Sequence, residues 1–386
     1  MTTPTRHPLP PSERNSRMSS VAVYVQDSLS SLWSTRANSR NIALDGLRGV
    51  AILLVVASHV SAARIPAGGM VGVTLFFTLS GYLITGLLIR EQSGTGNVAF
   101  RDFYIRRALR LLPAILFLLA LTPLILWAVR DPSLSPEIIP ASLITLFYLS
   151  NFFRAAGDHL VVYGHTWSLS VEEQFYILWP AIFILIIIRR VPPRAQFWTV
   201  ASLAVLFAAW RASSTFTMPF ERAYFALDTN AFGLLAGAAL ALKPPGLSKR
   251  VAAWLSVLSV LALVAISIYP LEVESSDYYA FLIYAGPVAA TFALMAITGA
   301  RHASMPLGSP PLIFFGRLSY GLYLWHEVIL FTSPGGHPIT EFARVAAAAA
   351  AVVIAAISWV LVERPALLLK KRFERVRPET AISDIR

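Results

Sequence analysis

The stretch LLPAILFLLALTPLILWAV at residues 111–129 runs for nineteen residues without a charged side chain. At a rise of about 1.5 Å per residue, a helix of this length measures ~28 Å. The hydrocarbon core of a bilayer is ~30 Å thick. This stretch is therefore predicted to cross a membrane as a helix.

The composition of the whole chain extends this prediction to many spans. Of the 386 residues, 56% are hydrophobic and 14% are charged, against about 25% charged in an ordinary soluble domain. Eleven apolar segments occur, at residues 47–64, 70–90, 103–129, 138–153, 168–188, 196–213, 226–242, 251–270, 279–299, 311–331 and 342–369. The stretches between them are too short for a soluble domain, so the predicted fold is an all-α polytopic membrane protein.

The basic residues indicate how many of these segments cross. Lys and Arg concentrate in cytoplasmic loops, and three basic clusters would face outward if all eleven segments crossed. If segment 138–153 does not cross, every cluster becomes cytoplasmic and the acidic loop around Asp277 lies outside. We therefore predict about ten transmembrane helices, with segment 138–153 either re-entrant or lying flat, and with both termini cytoplasmic. The three clusters are Arg189, Arg190 and Arg194; Lys243, Lys249 and Arg250; and Lys370, Lys371 and Arg372.

This topology divides the chain into three parts. Residues 1–41 are expected to be a cytoplasmic tail that is largely disordered and that has no apolar h-region of a cleavable signal peptide. Apolar residues at helical spacing between Val21 and Leu32 leave a short helix on the membrane surface as an alternative. Residues 42–369 form the predicted transmembrane domain, and residues 370–386 a basic cytoplasmic tail.

The net charge of +11 does not indicate a nucleic-acid-binding protein. The basic residues sit at the ends of apolar segments, where topology places them, and they form no separate basic domain. Such ends suit the anionic cytoplasmic leaflet, so membrane lipids are the expected partners. The chain has no cysteine, which excludes disulfides, thiolate metal sites and a thiol nucleophile.

Ionisable residues inside predicted spans are candidates for function, because each costs about 2.5–3.5 kcal/mol to insert. Arg48 and His59 are eleven residues apart, so on one helix they share a face and lie roughly 16 Å apart. A histidine can act as a general base near neutral pH. Asp45 and Arg48 are equally compatible with a structural ion pair at the entrance of the span.

A second basic group lies at the inner end of the third segment. Arg107 and Arg110 fall on one helical face, and guanidinium groups bind phosphates through two parallel hydrogen bonds. The phosphates of a cytoplasmic adenine nucleotide are the predicted target. The alternative is a topology anchor, which explains Arg106 well.

Two further groups lie at predicted outer ends of spans. Glu172 and Glu173 open an apolar segment, and Ser170 with Glu173 also matches a helix capping box, which explains one glutamate better than the pair. His326 and Glu327 follow Tyr323 near the end of another segment, where an interfacial aromatic belt explains the tyrosine but neither His326 nor Glu327. The topology thus predicts a divided site, with arginines at the inner face and acid/base groups in the outer half.

At these residues the chain resembles the acyltransferase-3 family of integral-membrane O-acyltransferases. The matching stretches follow the family's order and spacing: LDGLRGVAILLVVASH at 44–59, FFTLSGYLIT at 76–85, RDFYIRRALRLLP at 101–113, TWSLSVEEQFYILWP at 166–180 and SYGLYLWH at 319–326. The resemblance implies acyl transfer from cytoplasmic acyl-CoA, usually acetyl-CoA, to a hydroxyl of a carbohydrate or glycolipid acceptor. It also implies a bacterial inner membrane and functional roles for the Arg48/His59 and Arg107/Arg110 pairs. The chain ends soon after Pro365, so we expect it to lack the outer hydrolase-like domain of some relatives.

The expected roles combine the residue patterns with this resemblance. Arg48, Arg107 and Arg110 bind the acyl-CoA, and His59 is the general base or, less favoured, carries the acyl group transiently. Glu172 or Glu173 orients a histidine, and His326 is a further catalytic candidate. The residues assigned to substrate binding are Asp45, Ser168, Tyr176 and Tyr323. We expect no tightly bound cofactor and no metal.

A different functional class remains open. Intramembrane His, Glu and Arg also mark transport pathways. The alternative to an enzyme is therefore a membrane carrier or flippase for an anionic or acylated solute.

Overall fold

The computed structural model describes residues 11–34, 42–131, 135–269, 287–295, 298, 307–332 and 339–373, and within these ranges the chain is helical with no strand. Asp277 and most of segment 279–299 lie outside the described residues. The helices are α1 Pro11–Trp33, α2 Ile42–Val60, α3 Gly68–Thr95, α4 Phe100–Ala128, α5 Ile138–Leu146, α6 Ser150–Ala155, α7 Trp167–Ile182, α8 Pro193–Thr217, α9 Phe220–Phe225, α10 Leu227–Leu242, α11 Lys249–Ile268, α12 Pro310–Phe331, α13 Glu341–Ser358 and α14 Arg364–Lys370.

Seven helical stretches in the described part of the chain are long and apolar enough to cross a membrane. They are Ile42–Val60, Gly68–Thr95, Phe100–Ala128, Val162–Ile188, Phe220–Leu242, Lys249–Ile268 and Glu341–Phe373. The helices α8 and α12, of 25 and 22 residues, have the length but are more polar. The prediction of an all-α polytopic membrane protein is confirmed, and the number of ten spans stays a prediction.

Segment 138–153 is divided between two short helices. α5 has nine residues and α6 has six, and between them Tyr148 adopts a φ of 55°. A helix of nine residues extends only about 14 Å. The segment therefore does not cross as one helix, in agreement with the charge argument.

The tail preceding α2 differs from the expectation of disorder, because residues 11–33 form α1. Its second half packs on the C-terminal part of the chain: the Tyr24 hydroxyl donates to the Val360 carbonyl at 3.0 Å, and Ser28 and Leu32 are fully buried. The expectation of disorder was wrong for these residues, and the helix that the apolar spacing indicated between Val21 and Leu32 is present. Its partners lie more than 300 residues away in the chain, which local sequence does not reveal.

Glycines bring the central helices into backbone contact. A Cβ atom on Gly316 of α12 would lie 1.7 Å from the carbonyl oxygen of Asp45 in α2, and one on Gly49 would lie 2.1 Å from that of Leu312. Small residues permit such close crossings within membranes. This crossing fixes α2, with Arg48 and His59, against α12, with Tyr323 and His326.

Candidate active site in two cavities

Two cavities lie among these helices, and Tyr323 lines both of them. The arginine cavity is defined by Arg48, Arg106, Arg107, Arg110, Lys370, Glu172, Glu173, Ser168, Tyr176 and Tyr323. The histidine cavity is defined by His59, His159, His165, Arg154, Glu327 and Tyr323. All five basic residues of the first cavity come from segment ends that the charge pattern places in the cytoplasm. They are grouped as predicted, whereas Glu172 and Glu173, which we expected in the outer half, line the same cavity.

Arg107 is held at the centre of the arginine cavity by α7. Its Nε donates to both carboxylate oxygens of Glu173 at 3.0 Å, and a terminal nitrogen donates to the same carboxylate. Its guanidinium lies over the Tyr176 ring, with Cζ 3.3 Å from the ring centroid. One edge and one face of this guanidinium are therefore occupied, and the contacts fix its orientation.

The remaining basic side chains make the cavity positive. Arg106 donates to Glu91 at 2.6 Å and to the Phe373 carbonyl at 2.7 Å. The five basic residues outnumber the two carboxylates of the lining. Arg48 and Lys370 approach from α2 and α14, so three helices bring cations to one space. Such a surface suits a polyanion.

Glu172 and Glu173 lie in the arginine cavity, so the structure does not bring them to His59 as we expected. The capping-box alternative is also wrong, because α7 already begins at Trp167 and the Ser170 hydroxyl donates to the Thr166 carbonyl at 3.2 Å. The chain enters α7 from a buried 3₁₀ turn, so the two glutamates lie deeper than a helix start at the outer surface would place them.

Asp45, which we assigned to substrate binding, forms a buried ion pair. It accepts from Arg317 Nε at 3.2 Å, and both side chains are buried. Arg317 also donates to the Ser31 carbonyl of α1 at 2.6 Å. Among the described residues, Asp45 lines neither cavity, so this ion pair joins α1, α2 and α12 instead of meeting a substrate there.

The other three residues that we assigned to substrate binding line the arginine cavity, and Tyr323 also lines the histidine cavity. The Ser168 and Tyr323 hydroxyls are 2.6 Å apart, and the Tyr323 hydroxyl donates to the His165 carbonyl at 2.8 Å. Tyr176 lies under Arg107. Tyr323 and Ser168 thus form the boundary between the basic space and the histidines.

His59 presents one ring nitrogen to the histidine cavity. Its Nδ1 is 2.8 Å from the Val55 carbonyl oxygen, and because a carbonyl only accepts, Nδ1 carries the hydrogen. In the neutral ring the lone pair is then on Nε2, which lies 3.9 Å from a Glu327 carboxylate oxygen. The side chain is 30% exposed. This geometry suits a proton acceptor that a hydroxyl can reach.

Two residues near His59 were given no role in the predicted site, although Glu327 stood out beside His326. Glu327 Oε2 lies 3.4 Å from His165 Nδ1, so Glu327, and not Glu172 or Glu173, is the carboxylate beside the imidazoles. Both residues adjoin the quoted stretches: His165 precedes TWSLSVEEQ and Glu327 follows His326. Their position next to these motifs is therefore the sequence feature by which both residues could have been included in the predicted site.

His326 is fully buried behind His59, with their ring centroids 5.0 Å apart. Its Nδ1 donates to the Tyr323 carbonyl at 2.7 Å. His59, His326 and Glu327 offer ligand atoms within 4.8 Å of one another, so these three could hold a metal ion. The expectation that no metal is needed stays a prediction.

Comparisons with known proteins agree with the motifs. A family model described as an acyltransferase domain matches residues 41–363. YrhL of Bacillus subtilis (strain 168) is 34% identical over 83% of this chain and 54% of its own length. OatA of Listeria monocytogenes, a peptidoglycan O-acetyltransferase, is 30% identical over 83% of this chain and 55% of its own length. The chain thus spans about half the length of these curated relatives. No solved structure matches it.

Proposed function

We propose, since this chain belongs to the acyltransferase-3 family, that it is a membrane O-acyltransferase that moves an acetyl group from acetyl-CoA to a carbohydrate hydroxyl. The observation that carries this proposal is the pair of cavities meeting at Tyr323. One is basic, and the other is lined by His59, whose Nε2 carries the lone pair of the neutral ring. A two-substrate transfer between an anionic donor and a hydroxyl needs these two environments side by side.

The donor binds in the arginine cavity. Coenzyme A carries several phosphate charges, and Arg48, Arg110 and Lys370 supply cations from three helices. Guanidinium groups bind phosphate with paired, charge-assisted hydrogen bonds. Arg107 is already bonded to Glu173, so its remaining donors and its charge contribute to the site while Glu173 sets its position.

The thioester lies near Tyr323, where the donor's acyl end passes from one cavity toward the other. His59 Nε2 takes the proton of the acceptor hydroxyl. The hydroxyl oxygen attacks the thioester carbonyl, the new C–O bond forms, and the C–S bond breaks. Coenzyme A leaves as a thiolate and takes up one proton, and His59 returns its proton to solvent, so the reaction is balanced.

The acceptor is a cell-wall glycan hydroxyl. OatA is named for O-acetylation of peptidoglycan, and the histidine cavity lies on the side that the charge pattern places outside. The lining of this cavity includes Trp167 and Tyr224, and aromatic rings of this kind can pack against the apolar faces of sugars.

An assay in proteoliposomes tests the transfer. Purified full-length chain is supplied with acetyl-CoA and soluble peptidoglycan fragments, and both free thiol and acetylated glycan are measured by mass spectrometry. We expect thiol release that depends on the acceptor and equals the ester formed. Arg101→Ala, an exposed arginine on the same helix as Arg110, is the matched control and should retain activity.

The same assay separates the carrier alternative. A carrier moves its solute without breaking the thioester bond. Movement of labelled acetyl-CoA or of acetylated solute across the bilayer, with no thiol released under any acceptor, would overturn the proposed transfer.

A further inference from the structure

Three side chains with electron-pair donors converge at the histidine cavity from α2 and α12: His59 and Glu327 line it, and His326 lies buried behind His59. Ligand atoms of His59, His326 and Glu327 lie within 4.8 Å of one another, and His59 Nε2 lies 3.9 Å from Glu327 Oε2. Two ligands on one tetrahedral zinc ion lie roughly 3.3 Å apart. The side chains of His59 and Glu327 are both partly exposed, so small rotations of them suffice to reach this spacing.

Both histidines are oriented as metal-binding histidines usually are. His59 Nδ1 donates to the Val55 carbonyl, and His326 Nδ1 donates to the Tyr323 carbonyl. A ligating histidine almost always donates its other N–H to a carbonyl or carboxylate, which fixes the tautomer and the ring direction. The free lone pair of each ring is consequently on Nε2.

A second observation is that buried nitrogens in this cluster have no hydrogen-bond partner. In the described part of the chain, His326 Nε2 and His165 Nδ1 are buried without one, although an unpaired buried polar atom is unfavourable. His165 Nε2 lies 3.1 Å from the Leu324 carbonyl, so its Nδ1, 3.4 Å from Glu327 Oε2, carries a lone pair in the neutral ring. The neutral imidazoles and the carboxylate therefore face one another as acceptors. Glu327 also interacts with the Arg154 guanidinium and with the His165 backbone N–H, but His326 Nε2 and His165 Nδ1 have no hydrogen-bond partner, which favours a cation among them.

We propose that His59, His326 and Glu327 bind a divalent transition-metal ion such as Zn²⁺, and that the bound ion inhibits the protein. Imidazole and carboxylate ligands suit this class of metal, and three protein ligands leave a fourth position open to the cavity. The ion would occupy the Nε2 lone pair with which His59 takes the proton. The inhibition rests on the proposed function, whereas the binding does not.

Direct metal binding tests the site independently of turnover. Full-length protein in detergent is stripped with a chelator and titrated with Zn²⁺ against a competing colorimetric chelator. We expect one saturable Zn²⁺ per chain, weakened ~10–100-fold or more in Glu327→Gln and in His326→Gln, since even outer-shell changes have effects of this size. His159→Gln, an exposed histidine of the same cavity, should bind like the wild type.

Glu327→Gln keeps the result interpretable if the change at buried His326 prevents folding, because Glu327 is partly exposed and the substitution preserves volume. No stoichiometric binding by the wild type, or equal affinity in wild type and Glu327→Gln, would overturn the site. In the acyl-transfer assay, Zn²⁺ should abolish thiol release and a chelator should restore it. Turnover that is unchanged or raised by Zn²⁺ at a saturating concentration would overturn the inhibition and leave the binding result standing.

Discussion

The two cavities arrange their ionisable groups in opposite ways. In the arginine cavity, cations meet carboxylates: Arg107 is bonded to Glu173, and Arg106 to Glu91. In the histidine cavity, Glu327 faces His59 and His165, whose neutral rings offer only lone pairs toward it. The first arrangement pairs two of its arginines with carboxylates, whereas in the second the imidazole lone pairs face a carboxylate, and the cation of the lining is Arg154.

This difference agrees with the two separate roles that we propose for the cavities. A cavity of paired charges keeps its shape when empty and offers its excess positive charge to a polyanionic donor. A cavity of acceptors has affinity for a proton or a metal ion and so suits proton transfer. The predictions below test each half of this contrast, beginning with the largest expected effect.

His59→Gln should lower turnover by ~10²–10⁴, the usual effect of losing a general base. Glutamine preserves volume and hydrogen bonding but cannot take the proton, so acetyl-CoA binding should be unchanged. Thiol release and donor affinity are measured on the same preparation. Near wild-type turnover would show that His59 is not the general base, and His326 would become the next candidate.

Arg107→Ala should destabilise the protein by about 3–5 kcal/mol, because it leaves the poorly exposed Glu173 carboxylate without its partner. The double variant Arg107→Ala/Glu173→Ala should recover part of this loss. Thermal unfolding in detergent gives the comparison. The exposed Arg64–Glu341 pair is the control, and Arg64→Ala should change stability by less than ~1 kcal/mol. Strictly additive effects of the two cavity substitutions would contradict the pairing.

Arg110→Ala should weaken acetyl-CoA binding by ~10–100-fold, because a hydrogen bond to a charged group contributes about 1.5–3 kcal/mol. Arg110→Lys keeps the charge but loses the paired donors, so it should fall between alanine and wild type. Isothermal titration of detergent-purified protein measures the affinity, with Arg101→Ala as the control. Unchanged acetyl-CoA affinity in both Arg110→Ala and Arg48→Ala would show that acetyl-CoA does not bind in the arginine cavity.

The sidedness of the two cavities is tested by labelling, with little expected effect on activity. Cysteines can be placed singly because the chain has none. Ala63→Cys, exposed just beyond the His59 end of α2, should react with an impermeant thiol reagent in intact cells, whereas Arg190→Cys, also exposed, should not. The opposite pattern would place the arginine cavity outside and exclude cytoplasmic acyl-CoA as its ligand.

The helices of the membrane domain could be predicted largely from sequence, because each depends on a local run of apolar residues. The relative position of Arg48 and His59 could be predicted for the same reason, because a separation of eleven residues on one helix fixes both their common face and their distance. The expectation of disorder failed for α1, and the structure places Glu172 and Glu173 in the arginine cavity instead of beside a histidine. In those places the outcome depends on contacts between segments far apart in the chain, such as Tyr24 with Val360 and Arg107 with Glu173.

The sequence alone determined that this is a polytopic helical membrane protein, which ionisable residues lie within its spans, and which family its motifs match. These properties follow from composition, helical periodicity and the high cost of placing charge in a bilayer. Only the tertiary structure decided which residues meet: that Glu173 positions Arg107, that Asp45 pairs with Arg317, and that Glu327 joins the histidines. The physical reason is that helix crossings, set here by glycines with no room for a Cβ atom, choose among many pairings that the sequence permits.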